Sequence, residues 1–152
     1  MNNKAFTLIE ILLVVAIIAI LAGIVIIAIN PAKQLADARN SQRWSDVNTI
    51  LNATYQYAID HNGDMPTNVA VSNTCSTGVG GAEICQTDVG GCSGLADLSV
   101  LTDNQVYLIT MPIDPQENSS NQTGYYIVQN DDDRIIVCAP AAERGVTIEV
   151  SR

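Results

Sequence analysis

One acidic residue, Glu10, lies inside an apolar run that extends from Phe6 to Ile29. As a helix, this run of 24 residues is about 36 Å long at about 1.5 Å per residue, which is enough to span a bilayer. A carboxylate in hydrocarbon costs about 2.5 to 3.5 kcal/mol on insertion scales unless it is paired or neutralised. The position therefore predicts that Glu10 is either paired or neutralised.

The four cysteines, Cys75, Cys85, Cys92 and Cys138, all follow the apolar run. An even number of cysteines in a small domain outside the cytoplasm predicts two disulfides, with three possible pairings. We expect Cys75 to pair with Cys85, and Cys92 with Cys138, so that the second bond ties a loop to the sheet. A zinc site is disfavoured because there is no C-x-x-C pair and the only histidine, His61, is distant in sequence.

Oxygen ligands for calcium are suggested by Asp131 and Asp133, with Asp114 from the segment MPIDPQ. Three adjacent side chains in NDDD cannot all point one way, so a solvated turn is favoured and no metal or cofactor is predicted. No nucleophile with a base and no metal-ligand spacing is evident, so the chain is not predicted to be an enzyme.

The chain is acidic, with a formal net charge of −9 over 152 residues. Nucleic-acid backbones and anionic lipid headgroups both favour clustered Lys and Arg, so no direct nucleic-acid binding is expected. The length leaves room for one domain beyond the apolar run and excludes a large multidomain enzyme.

The apolar run is too long for a secretory signal peptide, whose apolar core has about 7 to 15 residues. We expect it to remain in the mature protein. An ordinary single-pass anchor is one interpretation, with Glu10 near the membrane interface. Flanking charge does not settle the orientation, because Lys4 lies on one side and Lys33, Arg39 and Arg43 lie on the other.

The segment KAFTLIEILLVVAIIAILAGIVI resembles the amino-terminal signature of type IV pilins and of the related pseudopilins of type II secretion. The resemblance implies a leader at residues 1–5, cleavage between Ala5 and Phe6, and N-methylation of Phe6. It also implies that Glu10, the fifth residue of the mature chain, pairs with the new amine of a neighbouring subunit or of its own chain. Ala5 departs from the family, which usually has Gly before the cleavage site.

The resemblance implies a structural subunit of a surface filament that serves motility, adhesion or DNA uptake. Its expected partners are other copies of the chain, the prepilin peptidase and an assembly platform. The precursor is expected in the cytoplasmic membrane through its single apolar helix, and the assembled subunit in an extracellular filament. The alternative is a pseudopilin of a type II secretion system, or a minor pilin.

The helical pattern continues beyond the apolar segment, residues 6–30, into a head domain that we expect at residues 31–152. Asn30 is predicted to cap a new start with Pro31 in the first turn, and Asn62 and Gly63 are predicted to stop the helix. The second half of the helix is amphipathic. The stripe that we expect to lie against the sheet consists of Trp44, Val47, Leu51, Thr54 and Ala58, with Ile50 and Tyr57 beside them. Trp44 and the tyrosines are expected to be core or subunit-contact residues.

The rest of the head is predicted to contain a disulfide-stapled loop at 63–93, a short helix at 94–101 and an antiparallel sheet at 106–150. The sheet has about four strands, with NDDD at a hairpin tip. The predicted strands are Val106–Thr110, Tyr125–Gln129, Arg134–Ala139 and Val146–Val150. The fold class is therefore α+β, with a long N-terminal helix packed on a small sheet, as the resemblance to pilins also implies.

Overall fold

The computed structural model describes residues 6–79, 82–86 and 91–152. The chain divides into two compact units, the first ending at Asp37 and the second extending from Ala38 to Arg152. The first unit contains helix α1, Leu8–Ile29, and the beginning of helix α2, Pro31–Asp60. The second unit contains the rest of α2 and the sheet.

Helix α1 has 22 residues, none of them buried. In the part of the chain that the structure describes, it is the helix that is long and apolar enough to cross a membrane. A helix that is apolar on all sides requires a protein interior or a bilayer around it. Its exposed surface therefore points to a lipid or protein environment.

The predicted interruption at Asn30 is confirmed. Asn30 ends α1 in the left-handed region, with φ 48° and ψ 78°, which Asn tolerates better than most residues. Its side-chain Oδ1 accepts a hydrogen bond from the Lys33 N–H at 3.3 Å. Pro31 begins α2, at a position where a missing N–H costs nothing.

The predicted end of α2 is also confirmed. Asn62 and Gly63 have positive φ values of 57° and 98°. The Gly63 N–H donates to the Ala58 carbonyl at 2.8 Å, and this bond satisfies a carbonyl at the helix end that has no partner in the next turn.

The sheet has five strands rather than four. The order is β1–β3–β4–β5, and β2 also pairs with β3. Strand β1 runs parallel to β3, whereas the other pairs are antiparallel, so the sheet is mixed. The strands are β1 Ala70–Val71, β2 Glu83–Cys85, β3 Gln122–Gln129, β4 Ile135–Cys138 and β5 Glu149–Ser151.

Two predicted elements are wrong. Residues 106–110 form no strand, because Leu108 is buried in the core and its N–H donates to the Leu101 carbonyl at 2.9 Å. In place of a helix at 94–101, Ala96 bridges Ile84 of β2. Short 3₁₀ helices follow at Ser99–Leu101 and Asp103–Gln105. Tertiary contacts thus override the local preference of both segments.

The last strand lies later than predicted. The segment Val146–Val150 alternates in sequence, but only Glu149–Ser151 forms β5. Ile148 is buried, and its carbonyl accepts from the Ala139 N–H at 3.0 Å, beyond the end of β4. The alternation therefore identified the buried residue correctly but not the strand boundary.

The main core lies between α2 and the inner face of the sheet. Val47, Ile50 and Leu51 of α2 join Ile127 of β3 and Val137 of β4 in one buried cluster. Each fully buried aliphatic side chain of this kind contributes about 1.5 to 3 kcal/mol relative to exposure. The prediction that Val47, Leu51, Thr54 and Ala58 are buried is confirmed.

Trp44 is not part of this core. Its exposed fraction is 40%, so its expected place in the core is wrong, while its alternative role in a subunit contact stays a prediction. The buried positions of the helix include Asn40, Arg43, Val47, Ile50 and Thr54, which follow a spacing of three and four residues.

The outer face of the sheet is covered as well. Tyr126, Val128, Ile136 and Cys138 form a second buried cluster with Ala82. Strand β4 is consequently buried at every residue. Burial on both faces explains why this strand reads as continuously apolar instead of alternating.

Candidate functional site

The first candidate site is the start of α1. Thr7 is its N-cap, and Glu10 completes a reciprocal capping box with it. Glu10 Oε2 accepts from the Thr7 N–H at 2.9 Å and from Thr7 Oγ1 at 2.8 Å, while the Glu10 N–H donates to Thr7 Oγ1 at 3.3 Å. This box was not predicted, although T-x-x-E before an apolar run is its signal in the sequence.

The capping box holds the Glu10 carboxylate at the amino end of the helix. Free N–H groups and the helix dipole favour negative charge there. Thr7, which binds this carboxylate, directly follows Phe6, whose exposed fraction is 81%. The other residue of the predicted cleavage site, Ala5, lies outside the described residues.

The second feature is the pair of disulfides. All four cysteines are bonded, but the expected pairing was wrong: Cys75 pairs with Cys138 and Cys85 with Cys92. Cys138 of β4 lies opposite Tyr126 of β3, and Cys75 Sγ lies 3.6 Å from the Tyr126 carbonyl oxygen. Cys75 therefore reaches β4 across the outer face of the sheet.

The second bond, Cys85–Cys92, is local, with a sequence separation of 7 residues. Cys85 ends β2 on the same side of β3 as β1. The local bond therefore links the end of β2 to a nearby residue, while the long-range bond ties the segment around Cys75 to the sheet.

The structure does not bring the calcium candidates together. Asp114 is bound by Arg43, Asp131 accepts from Asn73 Nδ2, and Asp133 accepts from Gln129 Nε2. Across residues 6–79, 82–86 and 91–152, no group of three or more His, Cys, Asp or Glu side chains is placed to hold a metal ion.

The third feature is a buried ionic cluster in the head, centred on Arg43. Its side chain is 0% exposed. Nε and Nη2 donate to Asp114 Oδ2 and Oδ1 at 2.6 and 3.0 Å. The remaining bonds of the guanidinium go to Asn40 Oδ1 at 3.0 Å, Gln116 Oε1 at 2.7 Å and Glu143 Oε2 at 3.2 Å. The guanidinium is thus surrounded by oxygen acceptors in two loops and one helix.

A second arginine completes this cluster. Arg39 donates through Nε and Nη2 to Glu143 Oε2 and Oε1, both at 2.6 Å. These bonds, first from Arg39 and then from Arg43, lower the pKa of Glu143 to about 2. The Asn40 side chain adds two bonds to the backbone of Glu143. The cluster therefore fixes the loop around Glu143 to α2.

Arg43 was not among the residues predicted to be buried. Its spacing from Val47 and Ile50 continues the buried stripe, and that periodicity was the available signal. The arginine side chain argued against burial despite this spacing, because an arginine is almost never fully buried unless it is paired. The two acidic partners, Asp114 and Glu143, lie 71 and 100 residues further along the chain.

A buried tyrosine adds another contact between α2 and the sheet. Tyr125 of β3 donates its hydroxyl to Asp46 Oδ2 at 2.7 Å. Burial raises the pKa of Asp46, while the bond from Tyr125 opposes that shift. Burial and the neighbouring carboxylate also raise the pKa of Tyr125. The phenol therefore stays protonated as a hydrogen-bond donor at neutral pH.

These elements define an α+β, pilin-like protein: an apolar N-terminal helix, then an amphipathic helix packed on a small sheet in a disulfide-linked head. Residues 1–26 match the family model described as the prokaryotic N-terminal methylation motif, the signature of type IV pilins and pseudopilins. Comparison with curated proteins and with solved structures gives no significant match. The motif thus supports a precursor of the pilin or pseudopilin kind.

Proposed function

We propose that this protein is a structural subunit of a type IV pilus-like filament. It is inserted in the cytoplasmic membrane through α1, cleaved, N-methylated and polymerised into a surface filament. The observation that carries this proposal is a methylation motif at residues 1–26 on a 22-residue apolar helix with no buried residue. Such a helix has two compatible environments, the bilayer before assembly and a bundle of equivalent helices afterwards.

Processing is proposed to occur between Ala5 and Phe6, with methylation of the new Phe6 amine by the prepilin peptidase. The leader would be residues 1–5, the apolar assembly segment residues 6–30 and the displayed head residues 31–152. Phe6 lies just before the Thr7 cap, so cleavage places a positive charge beside the capped carboxylate. This proximity supports a role for Glu10 that begins only after processing.

Glu10 is proposed to set the position of an incoming subunit by pairing with the amine of Phe6 in a neighbouring chain or its own. In low dielectric, desolvation offsets much of the Coulomb attraction, so the pair specifies register more than it supplies cohesion. Cohesion comes from the exposed apolar surface of α1, at about 25 cal/mol per Å² of area removed from water.

Mass analysis of the mature protein tests processing. The chain is co-expressed with a prepilin peptidase and an assembly platform, and its amino terminus is sequenced. We expect N-methylated Phe6 at the amino terminus. A retained Met1 in filament material would contradict the proposal, and long extracellular fibres, as opposed to short periplasmic ones, would favour a pilus over a secretion pseudopilus.

Two substitutions separate the charge of Glu10 from its capping role. Glu10→Gln keeps an acceptor for Thr7 and removes the charge, whereas Thr7→Val removes the hydroxyl and keeps the charge. We expect both variants to insert in the membrane, and Glu10→Gln to reduce the filament yield at least tenfold. A larger loss with Thr7→Val than with Glu10→Gln would show that capping, and not charge, is the role of Glu10.

A further inference from the structure

A loop at residues 72–79, here called the outer strap, crosses the outer face of the sheet. The apolar residues beneath it are Tyr126 and Val128 of β3 and Ile136 of β4, with exposed fractions of 9%, 0% and 7%. Cys75 and Val79 of the outer strap pack against this cluster. The outer face is thus covered by a loop, whereas the inner face is covered by a long helix.

The beginning of the outer strap is hydrogen-bonded to the sheet. The Ser72 N–H donates to the Gln129 carbonyl at 2.8 Å. Asn73 exchanges two bonds with Asp131 at the β3–β4 turn, at 2.5 and 3.2 Å. Beyond the strap, the Ala82 carbonyl accepts from the Ile127 N–H at 2.8 Å. The chain is therefore tied to the sheet on both sides of the strap.

The middle of the outer strap is attached differently. Two backbone N–H groups among its described residues donate locally: Thr74 N–H to Ser72 Oγ at 3.1 Å, and Val79 N–H to the Ser76 carbonyl at 3.2 Å. Among the described residues of this segment, the covalent link to the sheet is the disulfide from Cys75 to Cys138. In addition, Cys75 Sγ lies 3.6 Å from the Tyr126 carbonyl oxygen, and Cys75 and Val79 pack against the sheet.

We propose that the oxidation state of Cys75 and Cys138 controls whether the outer strap covers the outer face of the sheet. When the bond is formed, the strap covers Tyr126, Val128 and Ile136. When both cysteines are thiols, the middle of the strap leaves the sheet and exposes this apolar face, while the α2 side of the head stays folded. The inner core does not depend on the bond, because its cluster contains neither of these cysteines.

Closure is a thiol–disulfide exchange with a disulfide-bearing oxidant. The thiolate of one cysteine attacks a sulfur of the oxidant, breaks its S–S bond and releases one thiolate. The second cysteine then attacks the mixed disulfide and releases the other thiolate. One protein disulfide forms, two electrons pass to the oxidant, and the two protons of the cysteine thiols end on the released thiols or in solvent. A dithiol reductant reverses these steps.

The other disulfide provides a matched control. Cys85–Cys92 joins the end of β2 to a residue seven positions further along the chain, so it does not link the outer strap to the sheet. Cys75→Ser/Cys138→Ser is compared with Cys85→Ser/Cys92→Ser in the full chain in detergent micelles. Hydrogen–deuterium exchange is followed in peptides from residues 74–79, from β3 and β4, and from α2, together with thermolysin cleavage before Val79.

For Cys75→Ser/Cys138→Ser, we expect exchange in residues 74–79 and cleavage before Val79 to be at least tenfold faster than in the wild type. Amides of α2 around Ile50 should remain protected. The Cys85→Ser/Cys92→Ser variant should match the wild type within about twofold in the outer strap. Equal protection of residues 74–79 in both variants and the wild type would overturn the proposal.

A second measurement tests the proposal without relying on the folding of the Cys75→Ser/Cys138→Ser variant. Wild-type protein is titrated with a dithiol reductant, and the loss of the Cys75–Cys138 bond is followed by mass after alkylation. The proposal requires residues 74–79 to open at reductant concentrations that leave α2 protected. Simultaneous loss of protection in the outer strap and in α2 would overturn it.

Discussion

The guanidinium of Arg43 and the carboxylate of Asp114 form a two-point ion pair in which both side chains are buried, with exposed fractions of 0% and 1%. The pair joins the middle of α2 to the loop before β3. Because Gln116 and Glu143 contact the same guanidinium, it also fixes the position of two loops relative to the helix. Arg43 therefore acts as an internal cation for the acidic loops of the head.

Removing one partner of this pair should destabilise the head. Asp114→Asn leaves the Arg43 charge buried with weaker acceptors, and we expect a loss of about 3 kcal/mol. The measurement is urea denaturation of the full chain in detergent micelles, followed by far-UV circular dichroism. The double variant Arg43→Met/Asp114→Leu should recover much of the loss, since it leaves no unpaired charge. A loss below about 1 kcal/mol for Asp114→Asn, the range of an exposed pair, would contradict this interpretation.

Glu143 should make the head sensitive to acid. Hydrogen bonds from Arg39, then from Arg43, depress the pKa of Glu143 from 4.5 to about 2. The stability that this ion pair contributes is therefore present above about pH 4.5 and is lost as the pH falls towards 2. Thermal melts of wild type and Glu143→Gln between pH 7 and 2 should converge at low pH. Parallel curves over this range would show that Glu143 does not carry the dependence.

The pKa of Asp46 is shifted in the opposite direction to that of Glu143, so its effect on stability should have the opposite pH dependence. Burial raises the pKa of Asp46 above 3.8, and the Tyr125 hydroxyl opposes this by stabilising the charged form. The folded state thus holds the Asp46 proton more tightly, and this group's contribution to stability falls as the pH rises through its pKa. In Tyr125→Phe, we expect the pKa of Asp46 to rise further. A carboxyl carbon NMR titration measures this, and an unchanged midpoint would exclude coupling between the two residues.

Gly124 should tolerate no side chain. It has a φ of 75°, and an added Cβ would lie 2.9 Å from the Cβ of Asp114. Gly63 is the matched control, since it has a φ of 98° with nothing within 4 Å of an added Cβ. Gly63→Ala should cost about 1 to 2 kcal/mol from left-handed backbone strain. Gly124→Ala should cost clearly more in urea denaturation, because it also displaces Asp114 from Arg43. Equal losses would show that the close contact relaxes freely.

Several parts of the fold follow from local sequence signals. The length and polarity of residues 6–29 specify an apolar helix, and Asn30–Pro31 and Asn62–Gly63 specify where the helices stop and start. NDDD specifies the β3–β4 turn, where the Asn130 N–H donates to the Arg134 carbonyl at 2.9 Å. Each of these signals acts within one or two turns of chain and depends on backbone preference.

The sequence alone also placed Glu10 as the unusual charge of the apolar segment and indicated that the four cysteines are bonded. The tertiary structure decided that Cys75 joins Cys138, that Arg43 is buried while Trp44 is exposed, and that residues 106–110 form no strand. These outcomes depend on which distant groups meet. A charged side chain is buried only where other groups compensate its loss of hydration. For Arg43 these groups are Asp114 and Glu143, which lie far along the chain, so the local sequence of α2 does not predict its burial.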